Sequence, residues 1–137
     1  AQSRALLAQA LPLAASQLGV APEHVVVGGF SQGGIMALSL LLSRPELMRA
    51  AVVWHSRLLP QIVPLIAAPD AFHGKHLWVS HGTHDNVIPL AAAQSIRRQV
   101  QALPLHLAYE EFASAHEVRP AELAHTVVWL QGLYGAV

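Results

Sequence analysis

The chain has 137 residues, 53% of them hydrophobic and only 12% charged, with zero formal net charge when its nine histidines are neutral and no cysteine. That length fits one domain. The lack of cysteine excludes disulfides, thiol nucleophiles and thiolate metal sites, and the balanced charge without a basic patch argues against nucleic acid as a ligand.

In chain order, residues 3–18 place Leu6, Leu7, Leu11, Ala14, Ala15 and Leu18 near helical spacing, with Pro12 as a kink or late start and Gly19 as the stop. The same residues lack the charged start and cleavage site of a signal peptide, so a cytoplasmic protein is expected. Val25-Val26-Val27, bounded by Gly28 and Gly29, reads as a buried parallel strand. Gln32 to Arg44 reads as a helix stopped by Pro45, and Ala50 to Trp54 as a second strand. The apolar run from Ile35 to Leu42 is far shorter than the roughly 18 residues of a membrane span.

Residues 56–75 carry Pro60, Pro64 and Pro69 and predict a long loop with a short helix. His76 to Ser80 is a third strand, Pro89 to Leu103 a helix with proline in its first turn, and Leu105 to Phe112 a fourth strand. The stretch from Glu117 to Tyr134 contains a last helix with Leu123, Val127, Leu130 and Leu133 on one face. Trp54, Trp78 and Trp129 are expected between sheet and helices. Strands alternating with helices imply crossover units and a parallel sheet of about four strands flanked by helices, in one domain over 1–137.

Gly29, Ser31 and Gly33 form G-x-S-x-G between a β-branched strand and an apolar helix. A nucleophilic serine needs such a place: a tight, strained turn that exposes its hydroxyl, with small neighbours that let strand and helix approach. The N-terminus of the following helix also offers free N–H groups to developing negative charge. Phosphate-binding alternatives fail, because Gly33 is followed by Gly34-Ile35 rather than Lys-Ser or Lys-Thr, and no G-x-G-x-x-G series starts at Gly28 or Gly29.

The base and acid should follow later strands, in the order serine, acid, histidine. Asp85 follows the third strand in His81-Gly82-Thr83-His84-Asp85-Asn86-Val87-Ile88-Pro89, and His116 follows the fourth in Ser114-Ala115-His116-Glu117. All three lie beyond carboxyl ends of strands, where open α/β sheets place ligands. Asp70 precedes the third strand, at the wrong end. His55, His81 and His84 are rival bases. His81, His84 and Asp85 have the makings of a metal set, but their spacing is not that of a helical ligand pair, so no metal is expected. Leu58, Leu59 and Ile88 are positioned either to line an apolar acyl groove or to pack in the core.

Through Gly29-Phe30-Ser31-Gln32-Gly33-Gly34, the Asp85 stretch and His116-Glu117, the chain resembles the carboxylesterase/phospholipase family of α/β-hydrolases, which includes acyl-protein thioesterases. The resemblance implies hydrolysis of small or medium acyl esters, thioesters or lysophospholipids through an acyl-enzyme, with no cofactor. It assigns Ser31 as nucleophile, Asp85 as acid, His116 as base and the Gln32 N–H as one oxyanion donor. Family members carry several strands before the first one here, and a loop after one of them gives the second oxyanion donor; loss of one such donor typically costs about 100- to 1,000-fold in turnover. Without those strands Val25–Gly29 would be a sheet edge, so a homodimer near it or a companion segment is expected, and a weak or inactive remnant acting as an assembly module is the alternative function.

Overall fold

The computed structural model describes residues 21–134. The helix expected over 3–18 lies outside them. Four parallel strands, β1 (Val26–Phe30), β2 (Ala50–Trp54), β3 (His76–Gly82) and β4 (His106–Phe112), stand in the order β1-β2-β3-β4. Gly29 pairs with Val53, Val53 with Val79, and Val79 with Tyr109, so one row of side chains runs across the sheet.

A strand order that never reverses, combined with right-handed crossovers, puts every connecting element on the same face. The packing agrees. Leu38 and Leu41 of α1 (Gln32–Ser43), Ile62 and Phe72 of the β2–β3 connection, and Ala93, Ile96 and Val100 of α2 (Leu90–Val100) join Ala51, Val53, Leu77 and Val79 in one buried cluster. The connection consists of two short 3₁₀ turns, Pro60–Leu65 and Pro69–Phe72, each opened by proline. In α2 the buried positions 93, 96 and 100 keep helical spacing, and Arg97 leans its guanidinium over the Tyr109 ring, 4.5 Å from the centroid.

The last helix, α3 (Pro120–Leu133), packs on the opposite face and departs from expectation. Leu123 and Val127 are 48% and 42% exposed, whereas Glu122 and Thr126 are buried. The reason is polar. Trp54 Nε1–H donates to Thr126 Oγ1 (3.1 Å), and Glu122 accepts from Ser80 of β3 (2.6 Å), so hydrogen bonds rather than leucines fix the helix rotation. Trp78 and Trp129 meet across this layer with centroids 5.7 Å apart. Among the described residues β1 pairs only with β2, and its outer edge has no partner there.

Glycine matters where strand and helix meet below Ser31. A Cβ on Gly29 would collide with the backbone of Gly33, and one on Gly34 with the Ser56 hydroxyl. Gly33 itself faces open space, so in the G-x-S-x-G pattern it is the backbone of Gly33, not the size of its side chain, that limits the approach. Gly29→Ala should therefore lower unfolding free energy by roughly 1–3 kcal/mol through overpacking. Gly33→Ala should be neutral or stabilising by up to about 1 kcal/mol, because alanine is the better helix former. Urea denaturation of both variants checks the contrast; equal losses would show that the close approach is not where the structure puts it.

Candidate active site

Ser31 caps α1 with φ 56° and ψ −116°, a left-handed conformation costing a non-glycine residue about 1–3 kcal/mol. The surroundings hold it there. Its N–H donates to Trp54 O (2.9 Å), its carbonyl accepts the first helical bond from Ile35 N–H (2.9 Å), and Ser56 Oγ lies 2.9 Å from that carbonyl. The turn lifts the Ser31 side chain off the sheet end. Gln32 N–H follows in the first helical turn, where N–H groups have no acceptor within the helix.

Asp85 sits in the loop after β3, its side chain fully buried. One carboxylate oxygen, Oδ1, accepts from Val87 N–H and Ile88 N–H, both at 2.8 Å. The other, Oδ2, receives His116 Nδ1 at 2.6 Å and His55 Nδ1 at 3.0 Å. Burial alone would raise the pKa, but the hydrogen bonds from His116, Ile88 N–H, His55 and Val87 N–H outweigh it and hold Asp85 well below the usual carboxylate range. The ionised carboxylate can only accept, so both imidazoles present Nδ1–H to it. His116 Nε2 is then free to accept, and it lies 3.1 Å from Ser31 Oγ. Phe30 covers the His116 ring at 4.7 Å between centroids. A hydroxyl, an imidazole and a carboxylate in this series can move a proton off the hydroxyl as it attacks an electrophile, leaving a cation that the carboxylate stabilises.

The network continues inward. His55, at the end of β2 and fully buried, also has positive φ (52°) and places Nε2 2.9 Å from Glu122 Oε1. The other Glu122 oxygen accepts from Ser80 Oγ–H, whose oxygen in turn accepts Trp78 Nε1–H (2.9 Å). Desolvation works to keep His55 neutral, but its hydrogen bonds to Glu122 and Asp85 prevail and raise its affinity for a proton. His81, stacked on His55 at 5.2 Å, goes the other way. Burial lowers its proton affinity, its Nε2–H donates to Ile88 O (2.7 Å), and Nδ1 has no partner among the described residues, as suits a neutral ring with a bare nitrogen there.

Ligand atoms of His55, Asp85 and His116 lie within 4.8 Å of one another. Both Nδ1 atoms aim at one carboxylate oxygen, Asp85 Oδ2. His84 is exposed and its ring bonds its neighbour Thr83 (3.3 Å), so the three side chains of His81, His84 and Asp85 do not converge. Asp70 lies exposed on the turn before β3.

A cavity of about 500 Å³ opens beside Ser31, lined by Gln32, Ile35, Arg57, Val87 and Ile88 among others. Ile88 thus stands where an acyl contact was expected. Leu58 and Leu59 pack against the main core, and Leu59 also lines a separate apolar cavity of about 190 Å³ with Ile35, Met36 and Ile62. Glu122 is the residue the sequence reading passed over. Its signal is an acid at the i−4 position of Thr126 in an otherwise apolar helix, a spacing that puts both on one face.

A parallel sheet with a strained serine between its first described strand and helix, and with acid and histidine beyond later strands, defines the α/β-hydrolase fold. Within that class the chain belongs to the phospholipase/carboxylesterase family, whose model matches residues 5–132. It is 30% identical over 116 residues to a protein named "Probable carboxylesterase" from Oryza sativa subsp. japonica, covering 82% of this chain and 43% of that one. It is 26% identical over 116 residues to acyl-protein thioesterase 1 of Gibberella zeae, covering 82% of this chain and 49% of the relative. The crystal structure of esterase PE8 superposes with a TM-score of 0.81 at 21% identity, over 96% of this chain and 60% of that one. The chain therefore spans about half the length of the curated relatives it matches. Among the described residues no helix is long and apolar enough to cross a membrane.

The Asp85 network carries a pH signature. A carboxyl group whose proton affinity is depressed on folding stabilises the native state fully above its unfolded value, about 4, and loses that contribution as pH falls through the folded value. Asp85→Asn should cost roughly 3 kcal/mol or more at pH 6, as expected for one partner removed from a buried ionic network. The gap between variant and native protein should narrow at pH 3. Urea midpoints at the two pH values check this; an undiminished gap would contradict the depressed acidity of Asp85.

Proposed function

We propose that this chain carries the catalytic site of a serine carboxylic-ester hydrolase, with Ser31 as nucleophile, His116 as general base and Asp85 as the group that orients and stabilises the base. The observation supporting this best is the unbroken series from Ser31 Oγ to His116 (3.1 Å) and from His116 to Asp85 (2.6 Å) at a strained strand-to-helix turn. Ser31 Oγ attacks the acyl carbon as His116 Nε2 takes its proton. Gln32 N–H donates to the oxyanion of the tetrahedral intermediate. His116 then returns the proton to the departing alcohol or thiol, leaving an acyl-enzyme, and water attacks that ester by the same route to free Ser31 and the acid.

The cavity beside Ser31 suits small or medium acyl groups. Ile35, Val87 and Ile88 offer it apolar contact, and Arg57 is the only charged side chain among its described lining residues. That arrangement favours neutral or anionic acyl groups over cationic ones. Carboxylic esters, thioesters and lysophospholipids all fall within this range, and the relatives' names include a carboxylesterase and a thioesterase.

A catalytically weakened remnant serving in assembly is the alternative reading. Among the described residues the outer edge of β1 is unpaired, and under either reading we propose that a second copy or a companion segment covers it near Val25–Gly29. A fluorophosphonate separates the two functions. The active-site reading predicts one phosphonyl adduct on Ser31, none on Ser31→Ala, and labelling slowed on the order of 1,000-fold or more in His116→Ala. Intact mass and peptide mapping read the result; folded native protein that takes no label favours the remnant.

A further inference from the structure

We propose that His55, clamped as an imidazolium between Asp85 and Glu122, is a positioning residue that shares the catalytic carboxylate with His116 and sets a fixed positive charge beside it. This rests on the reading of Ser31, His116 and Asp85 as the catalytic groups.

Hydrogen-bond bookkeeping supports the cation. Trp78 Nε1 can only donate, so Ser80 Oγ accepts from it and spends its own proton on Glu122 Oε2. Asp85 Oδ2 can only accept, so His55 Nδ1 carries a proton. One proton remains for the 2.9 Å contact between His55 Nε2 and Glu122 Oε1. If it rests on His55, the ring is an imidazolium with a carboxylate at each end, and the raised proton affinity of His55 agrees with that placement. All three side chains, His55, Asp85 and Glu122, are fully enclosed. The buried set then has two negative charges and one positive, with both ring nitrogens of His55 and every oxygen of the two carboxylates hydrogen-bonded.

The clamp also explains the backbone. His55 is one of two non-glycine residues with positive φ among the described residues, and the other is Ser31. Its N–H donates to Ser80 O (3.0 Å), which ties the strained turn to the strand that supplies Glu122's other partner. A histidine that merely filled space would need neither the turn nor the acid.

The titratable groups facing His55 are Asp85 from the loop after β3, Glu122 from α3, His81 from β3 and His116 from the loop after β4. His116 is edge-on to it at 5.8 Å between centroids. Asp85 lies between the two imidazoles, while Glu122 bonds the opposite nitrogen of His55. His55 thus sets a positive charge 5.8 Å from the His116 ring, across the carboxylate they share. During attack, Asp85 must serve two cations at one oxygen, and the two backbone N–H groups on Oδ1 keep the carboxylate from rotating away.

The test is the pH dependence of Ser31 phosphonylation in the native protein and in the double variant His55→Asn/Glu122→Gln. Asparagine keeps an N–H for Asp85, and the glutamine stays within hydrogen-bond reach without leaving a bare buried charge. The acid limb of the rate profile should move upward by roughly 0.2–0.5 pH unit, because the His55 charge about 6 Å from His116 is only partly offset by the Glu122 charge removed with it from the far side of the clamp. A purely structural role would change the rate at all pH values and leave the limb where it is. Native protein that labels normally, with an unmoved limb in the variant, overturns the role of His55 and spares the catalytic reading. Native protein that folds but takes no label overturns both. Should the variant not fold, ¹⁵N-histidine NMR of the native protein decides. Both ring nitrogens of His55 should remain protonated at pH 7, where an ordinary imidazole is mostly neutral; a neutral His55 ring overturns the proposal.

Discussion

A carboxylate enclosed at the end of a sheet keeps its charge only if each oxygen is answered by donors. Asp85 meets four: two backbone N–H groups on one oxygen and two imidazoles on the other. Remove that convergence and the fold has no reason to bring the carboxyl ends of its strands into this register of side chains. The loop after β3 turns so that Val87 and Ile88 cap the acid, β2 ends in a strained residue so that His55 reaches it, and the loop after β4 delivers His116. Ser31 is last in the series, held by its own strained turn.

This arrangement divides the molecule into two unequal layers. On one face α1, the 3₁₀ turns and α2 bury a continuous apolar cluster, and that layer supplies most of the hydrophobic stabilisation. On the other, α3 is fastened by Glu122 and Thr126 through polar contacts, with Trp78 and Trp129 filling between. A buried acid usually costs more than it returns unless its partners are complete. Here they are complete, and they run through His55 to the proposed catalytic site. Helix docking and site geometry are thus one hydrogen-bonded structure, so a change that loosens α3 is felt at Asp85.

Much of this was legible in the residues. The four parallel strands, the helices after Ser31 and after Pro89, and the three-residue series followed from β-branched runs, proline and glycine stops and the position of Asp85 and His116 after later strands. Boundaries moved where pairing, not propensity, sets them: β3 runs on to Gly82 because it pairs with Phe112, and β1 begins at Val26 and extends through Gly28-Gly29 to Phe30. The rotation of α3 was not legible, because Leu123 and Val127 make as good an apolar stripe as any and only the partners of Glu122 and Thr126 decide against it. His55 was recognised merely as a rival base. Nothing in one strand shows that its last residue will meet a helix some 67 positions further on.

The central claim is that two imidazoles hydrogen-bond to the same oxygen of Asp85. Low-field proton NMR of the folded chain in cold, neutral solution tests it directly. Two slowly exchanging imidazole Nδ1–H resonances are predicted, assignable by substitution to His55 and His116, and both should be displaced together in Asp85→Asn. A single such resonance, or a His55 signal unmoved when Asp85 is changed, would contradict the shared carboxylate and the account built on it.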